Sequence, residues 1–158
     1  MAFEVSELRK KYEGFVENYD LPGFKELNEA FEIDRIEREG DCFLRDVRKS
    51  MMEKIVRYIH FIEMMINPAQ APPMFMIFVK NIGKSDRNAL ENVYKNFIEL
   101  ELRALKNEID YSEKEEAESI KHIFDVWNKS KKELRMVIGI MEKNWKGSPE
   151  KKERDYFG

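Results

Sequence analysis

The sequence predicts an all-α fold: an elongated antiparallel helical bundle with three long helices, at about 41–66, 85–109 and 112–145, two shorter N-terminal helices and a short helix at 73–81. Three observations carry this. Thr is absent, Gln70 is the sole Gln, and charged residues make up 37% of 158, so helix formers abound where strand formers are scarce. Apolar residues recur at intervals of three and four through long stretches. The five prolines fall at 22, 68, 72, 73 and 149, which leaves those stretches uninterrupted.

Glu4 to Tyr19 reads as the first helix, with Val5, Leu8, Tyr12, Phe15 and Tyr19 on one face. Pro22 suits the first turn of a second, in which Phe24, Leu27 and Phe31 form the apolar side before Gly40. Both are too short to persist alone, so they are expected to lie on the longer helices. The 41–66 helix carries Leu44, Val47, Met51, Ile55, Tyr58, Ile62 and Met65 on one stripe, and Asn67 with Pro68 stops it. After the prolines, Met74 to Val79 is continuously apolar, and its Met and Phe content favours a helical turn over a strand.

Ser85 caps the 85–109 helix, which is apolar over the broadest arc, from Leu90 and Val93 through Leu102, Leu105 and Ile109, and is expected to be the most buried. Two residues separate it from Ser112, so it must turn back antiparallel to the last helix. Ser112 with Glu115 forms a capping box. The stripe that follows contains Ala117, Ile120, Phe124, Trp127, Leu134, Ile138, Met141 and Trp145. At 1.5 Å per residue this helix is about 50 Å long, and a stripe of that length holding two Trp requires cover from other helices. Residues 1–146 are expected to form a single helical domain and 147–158 a charged, mobile tail.

One cysteine, Cys42, precludes an internal disulfide, and no charged-then-apolar leader or long uncharged span is visible, so a cytoplasmic protein without a membrane segment is expected. The Glu and Lys enrichment suggests a thermophilic source. Residues 1–40 hold 11 acids against 6 bases, and residues 128–158 hold 9 bases against 5 acids. The basic C-terminal third suits an acidic partner or nucleic acid, although a net charge of -3 makes general phosphate binding the weaker reading.

No enzyme is expected. His60 with Glu63 and His122 with Asp125 have metal-ligand spacing, but helical phase turns both pairs to solvent, so neither a metal nor a cofactor is assigned. Cys42 lacks an identifiable base, and Gly is too sparse for a phosphate cradle. Arg48 and Glu101 are charges inside otherwise apolar arcs, and antiparallel packing brings Arg48 toward Glu101 or Glu108. A buried structural pair of Arg48 with Glu101 is expected.

Two stretches remain as binding surfaces. Met74, Phe75 and Phe78 lie in an adaptable Met/Phe segment near 72–79 that either plugs the bundle or docks a partner. The terminal Tyr156 and Phe157 follow a charged stretch that resembles the peptides by which replication and repair proteins hold the sliding clamp. The resemblance covers about eight residues and departs at Glu150, where a Gln is expected, and at Glu153, where an aliphatic residue is expected. The expected function is therefore a non-enzymatic interaction or scaffold protein that binds a protein partner or itself. A nucleic-acid-associated accessory factor is the alternative, and a bundle metalloenzyme comes third.

Overall fold

The computed structural model describes residues 5–36 and 40–147. They form helices α1 (Val5–Tyr19), α2 (Phe24–Phe31), α3 (Phe43–Ile66), α4 (Phe75–Val79), α5 (Lys84–Ile109) and α6 (Glu113–Lys146), with 3-10 turns at Ile33–Arg35 and Pro68–Gln70. Among the described residues there is no strand, and α3, α5 and α6 pack as a helical bundle. The three long helices start and stop within two residues of their expected limits. Their ends have local causes. The Ser112 hydroxyl accepts from the Glu115 N–H at 3.4 Å, so α6 is capped as its spacing predicts. The Glu115 carboxylate instead meets Arg103 at 3.5 Å, leaving only half of the capping box in place. Glu32 adopts left-handed backbone (φ 53°) and ends α2 well short of Gly40.

The structure divides into two compact units, to each of which all three long helices contribute. The first comprises Met1–Arg57 and Phe97–Asn128. Its core joins Leu8 and Tyr12 of α1, Leu27 of α2, Leu44, Val47, Met51 and Ile55 of α3, Phe97 of α5 and Ile120 and Ile123 of α6. Tyr12 is wholly enclosed and spends its hydroxyl on the Pro22 carbonyl at 2.8 Å, which satisfies a polar group that burial would otherwise penalise. Trp127 stacks on Phe97 and tilts against Phe31, tying α2 to α5 and α6. The Lys54 ammonium lies 4.7 Å from the centre of the same indole and donates to the Ala30 carbonyl at 2.6 Å, placing a cation at the carbonyl end of α2.

The second unit comprises Tyr58–Asn96 and Lys129–Gly158. Ile59, Ile62 and Met65 of α3, Leu90 and Val93 of α5, and Leu134 and Val137 of α6 are its buried aliphatic residues. Phe78 of α4 stacks on Trp145 of α6 at 5.6 Å, and the Asn144 amide donates to the carbonyls of Phe78 and Lys80. That amide holds a five-residue helix that local hydrogen bonding alone would not sustain.

Two expectations about faces need correction. The apolar arc of α5 is split: Leu90, Val93, Phe97, Leu100 and Ala104 are buried, whereas Leu102, Leu105 and Ile109 are 60%, 57% and 80% exposed. A helix flanked on one side buries only the arc its neighbours cover, and that arc is centred on Phe97 rather than on Leu102. On α6 the seam runs through Ile120, Ile123, Trp127, Leu134 and Val137, with Phe124 and Ile138 beside it and not at its centre.

Candidate functional site

Arg48 is the deepest cation among the described residues of the first unit. It sits on α3 between Leu44, Val47, Met51 and Met52, so helical phase carries its guanidinium inward with them. Its Nε donates to Glu116 Oε2 at 2.6 Å, and its second terminal nitrogen donates to Glu108 Oε1 at 2.7 Å. The carboxylates that meet Arg48 are thus Glu116 and Glu108, which replace the expected Glu101. Glu101 lies about two turns from Glu108 along α5, roughly 10 Å at 1.5 Å per residue. Glu116 stands in the first turn of α6, on the same seam as Ile120 and Ile123.

The cluster extends outward. Arg45 reaches Glu116 at 3.2 Å and the Asn107 carbonyl at 3.0 Å, and its guanidinium lies over the Tyr111 ring. Asn107 donates to Ser119 at 2.9 Å, and Tyr19 donates to Glu113 at 2.6 Å. The start of α3 is thereby level with the end of α5 and the start of α6, as antiparallel packing requires. Burial works against the charge on Arg48, yet its hydrogen bonds to Glu116 and Glu108 more than offset this and hold it above its ordinary pKa. The Arg48 hydrogen bond holds the Glu108 carboxyl below the usual carboxylate range, against some desolvation. Arg48 and Arg45 are answered by Glu116 and Glu108, so the chemistry of the cluster is that of a clamp between helices.

The histidines lie elsewhere. His60 and Glu63 are a solvent-exposed pair 3.4 Å apart, with Tyr94 donating to Glu63 at 2.9 Å. They border an open cleft of about 610 Å3 in the second unit, whose walls include Glu91 and Lys95. His122 and Asp125 border a second open cleft, of about 590 Å3, in the first unit. Its walls set four carboxylates, Asp20, Glu26, Glu118 and Asp125, against Arg103 and Lys121, so acid outnumbers base there two to one. Among the described residues no three His, Cys, Asp or Glu side chains gather as a metal site would need, and no helix is long and apolar enough to cross a membrane.

The Met/Phe segment holds both packed and exposed side chains. Phe75 and Phe78 pack edge to face and Phe78 continues onto Trp145, whereas Met74 and Met76 are 49% and 53% exposed. Tyr156 and Phe157 lie outside the described residues. Sequence reasoning missed a third surface, formed by Leu102, Leu105 and Ile109 on the outer side of α5. The signal was present as four apolar positions, Ile98, Leu102, Leu105 and Ile109, spaced four, three and four apart and in phase with one another but not with Phe97. A scan against protein-family models finds no matching model, and neither the curated proteins nor the solved structures contain a match to this chain.

Proposed function

We propose that this protein is a non-enzymatic helical interaction protein that docks a protein partner on the outer face of α5. The observation that carries the reading is the alignment of Leu102, Leu105 and Ile109, each more than half exposed, on one helical stripe. Scattered surface leucines need no explanation, but three large aliphatic residues in phase over two turns form a surface that gains from being covered. Fully burying such a side chain contributes about 1.5–3 kcal/mol. Met74 and Met76 are separately exposed, and their thioethers adapt to varied partners.

The test is capture from lysate of the source cell, with tagged wild type and tagged Leu102→Glu/Leu105→Glu matched by circular dichroism. A partner, or an untagged copy of the chain, that is retained by wild type and lost by the variant supports the reading. Identical capture by both overturns it.

A second reading is favoured by the C-terminal half of α6. There Lys129, Lys132, Arg135, Lys143 and Lys146 are exposed against one exposed acid, Glu142. Such a face suits an anionic polymer, and nucleic-acid binding through it would weaken steeply as salt rises, whereas docking on the α5 stripe would not.

A further inference from the structure

We infer that the partner of the α5 stripe is a second copy of this chain, bound with the two α5 helices parallel about a twofold axis. The inference rests on the proposal that this stripe is a docking surface, and it names the occupant.

The spacing sets the geometry. Ile98, Leu102, Leu105 and Ile109 follow the four-three-four rhythm of a two-helix seam, alternating its two core positions. All four belong to the first compact unit. Glu101 then falls on one flank of the seam, one residue before Leu102, and Lys106 falls on the other flank, one residue after Leu105. In a parallel pair, a flanking residue faces the residue five positions further on in the opposite flank of its partner. Glu101 of each copy therefore meets Lys106 of the other, and the twofold axis makes that contact twice.

The same charges do not suit the reversed arrangement. In an antiparallel pair like flanks face each other, which sets Glu101 against Glu108 of the other copy while Lys106 meets Glu99. One contact is then repulsive for each that is attractive. The charges also lack other employment, since neither Glu101 nor Lys106 has an ion-pair or hydrogen-bond partner among the described residues. Glu101, half-buried beside Leu102 and Leu105, gains a counter-charge only in the parallel pair. The seam spans about 17 Å at 1.5 Å per residue, so the contact is small and its population depends on concentration.

Sedimentation equilibrium of the full chain over about 10 μM to 1 mM tests this, the range in which small interfaces assemble. Wild type is expected to pass from its monomer mass of 19.0 kDa toward twice that value. Leu105→Glu should abolish the shift with the circular dichroism melt unchanged. Glu101→Lys and Lys106→Glu should each weaken dimerisation about tenfold, because each turns two attractive contacts into repulsions. Glu101→Lys/Lys106→Glu in one chain should restore it, as should mixing the two single variants.

Tighter association of Glu101→Lys would overturn the parallel pair, because only the antiparallel pair gains from that change. A monomer throughout the range would overturn self-association. If Leu102→Glu/Leu105→Glu still loses a different protein in the capture experiment, the docking reading survives that result. Loss of neither a copy nor a partner would remove both.

Discussion

Arg48 of α3 and Glu116 of α6 form a near-dry ion pair, 2.6 Å from Nε to Oε2, with 3% and 0% of their side chains exposed. Neither charge would tolerate this environment alone, so the pair dictates how the start of α3 meets the start of α6. Arg48→Met should destabilise the protein by about 3 kcal/mol, toward the lower end for breaking a buried pair, because Arg45 still reaches Glu116. Arg48→Met with Glu116→Leu should recover much of that loss in urea denaturation. In double-mutant cycles Arg48 should couple to Glu116 by more than about 1 kcal/mol, whereas Arg48 and Glu101 should add to within about 0.5 kcal/mol. Coupling to Glu101 instead would contradict the observed partners.

Glu108 makes this clamp sensitive to acid. Its carboxyl is held below the ordinary range by Arg48, so its contribution is present above the unfolded carboxylate pKa of about 4.3 and is lost as pH falls through the lower folded value. The side chain is 38% exposed, which limits the effect to about 1 kcal/mol or less. Glu108→Gln should accordingly be less stable than wild type at neutral pH, and the gap in urea midpoint should close as pH drops from about 4.5 to 3. A gap that stays constant with pH would show that the carboxylate charge is not what Arg48 uses.

The long helices were legible because their limits rest on local signals: Ser112 at the start of α6, Asn67 and Pro68 after α3, and unbroken apolar spacing between. Which half of a wide apolar arc faces the core is not local. Ile98, Leu102 and Leu105 are as periodic as Phe97, Leu100 and Ala104, and only the placement of α3 and α6 decides between the two stripes. Arg48 was identifiable as a charge inside an apolar face, and Glu116 meets the same criterion beside Ala117 and Ile120. The weight of charge in the first turn of α6, where Glu113, Glu115 and Glu116 cluster, reads equally well as a response to the helix dipole, which hid the one that is buried.

The short helix α4 should depend on a single amide. Asn144 donates to the carbonyls of Phe78 and Lys80, and α4 has only five residues in which to make its own hydrogen bonds. Asn144→Ala should cost about 1 kcal/mol for each contact that is lost. Hydrogen exchange should show the amides near Phe78 and Val79 losing protection at least fivefold, while those around Phe97 keep theirs. Unchanged exchange in α4 would mean that stacking of Phe78 on Trp145 suffices to hold it.

The left-handed turn at Glu32 leads to a prediction of opposite sign for one substitution at two positions of the same helix. Glu32 ends α2 with φ 53° and ψ 45°, its N–H donating to the Asn28 carbonyl at 2.8 Å. Any Cβ is crowded in that conformation, and glycine avoids the crowding at the residue that ends a helix. Glu32 also pairs with Arg35 at 2.9 Å on the exposed surface, so glycine and alanine should be compared with each other, both having lost that pair. Glu32→Gly should be more stable than Glu32→Ala by about 1 kcal/mol. At Glu29, exposed within α2, the order should reverse, with alanine better than glycine by about 1 kcal/mol, because there glycine only adds backbone freedom to the unfolded chain. Thermal melts of the four variants decide it, and alanine winning at both positions would show that Glu32 does not hold a left-handed conformation in solution.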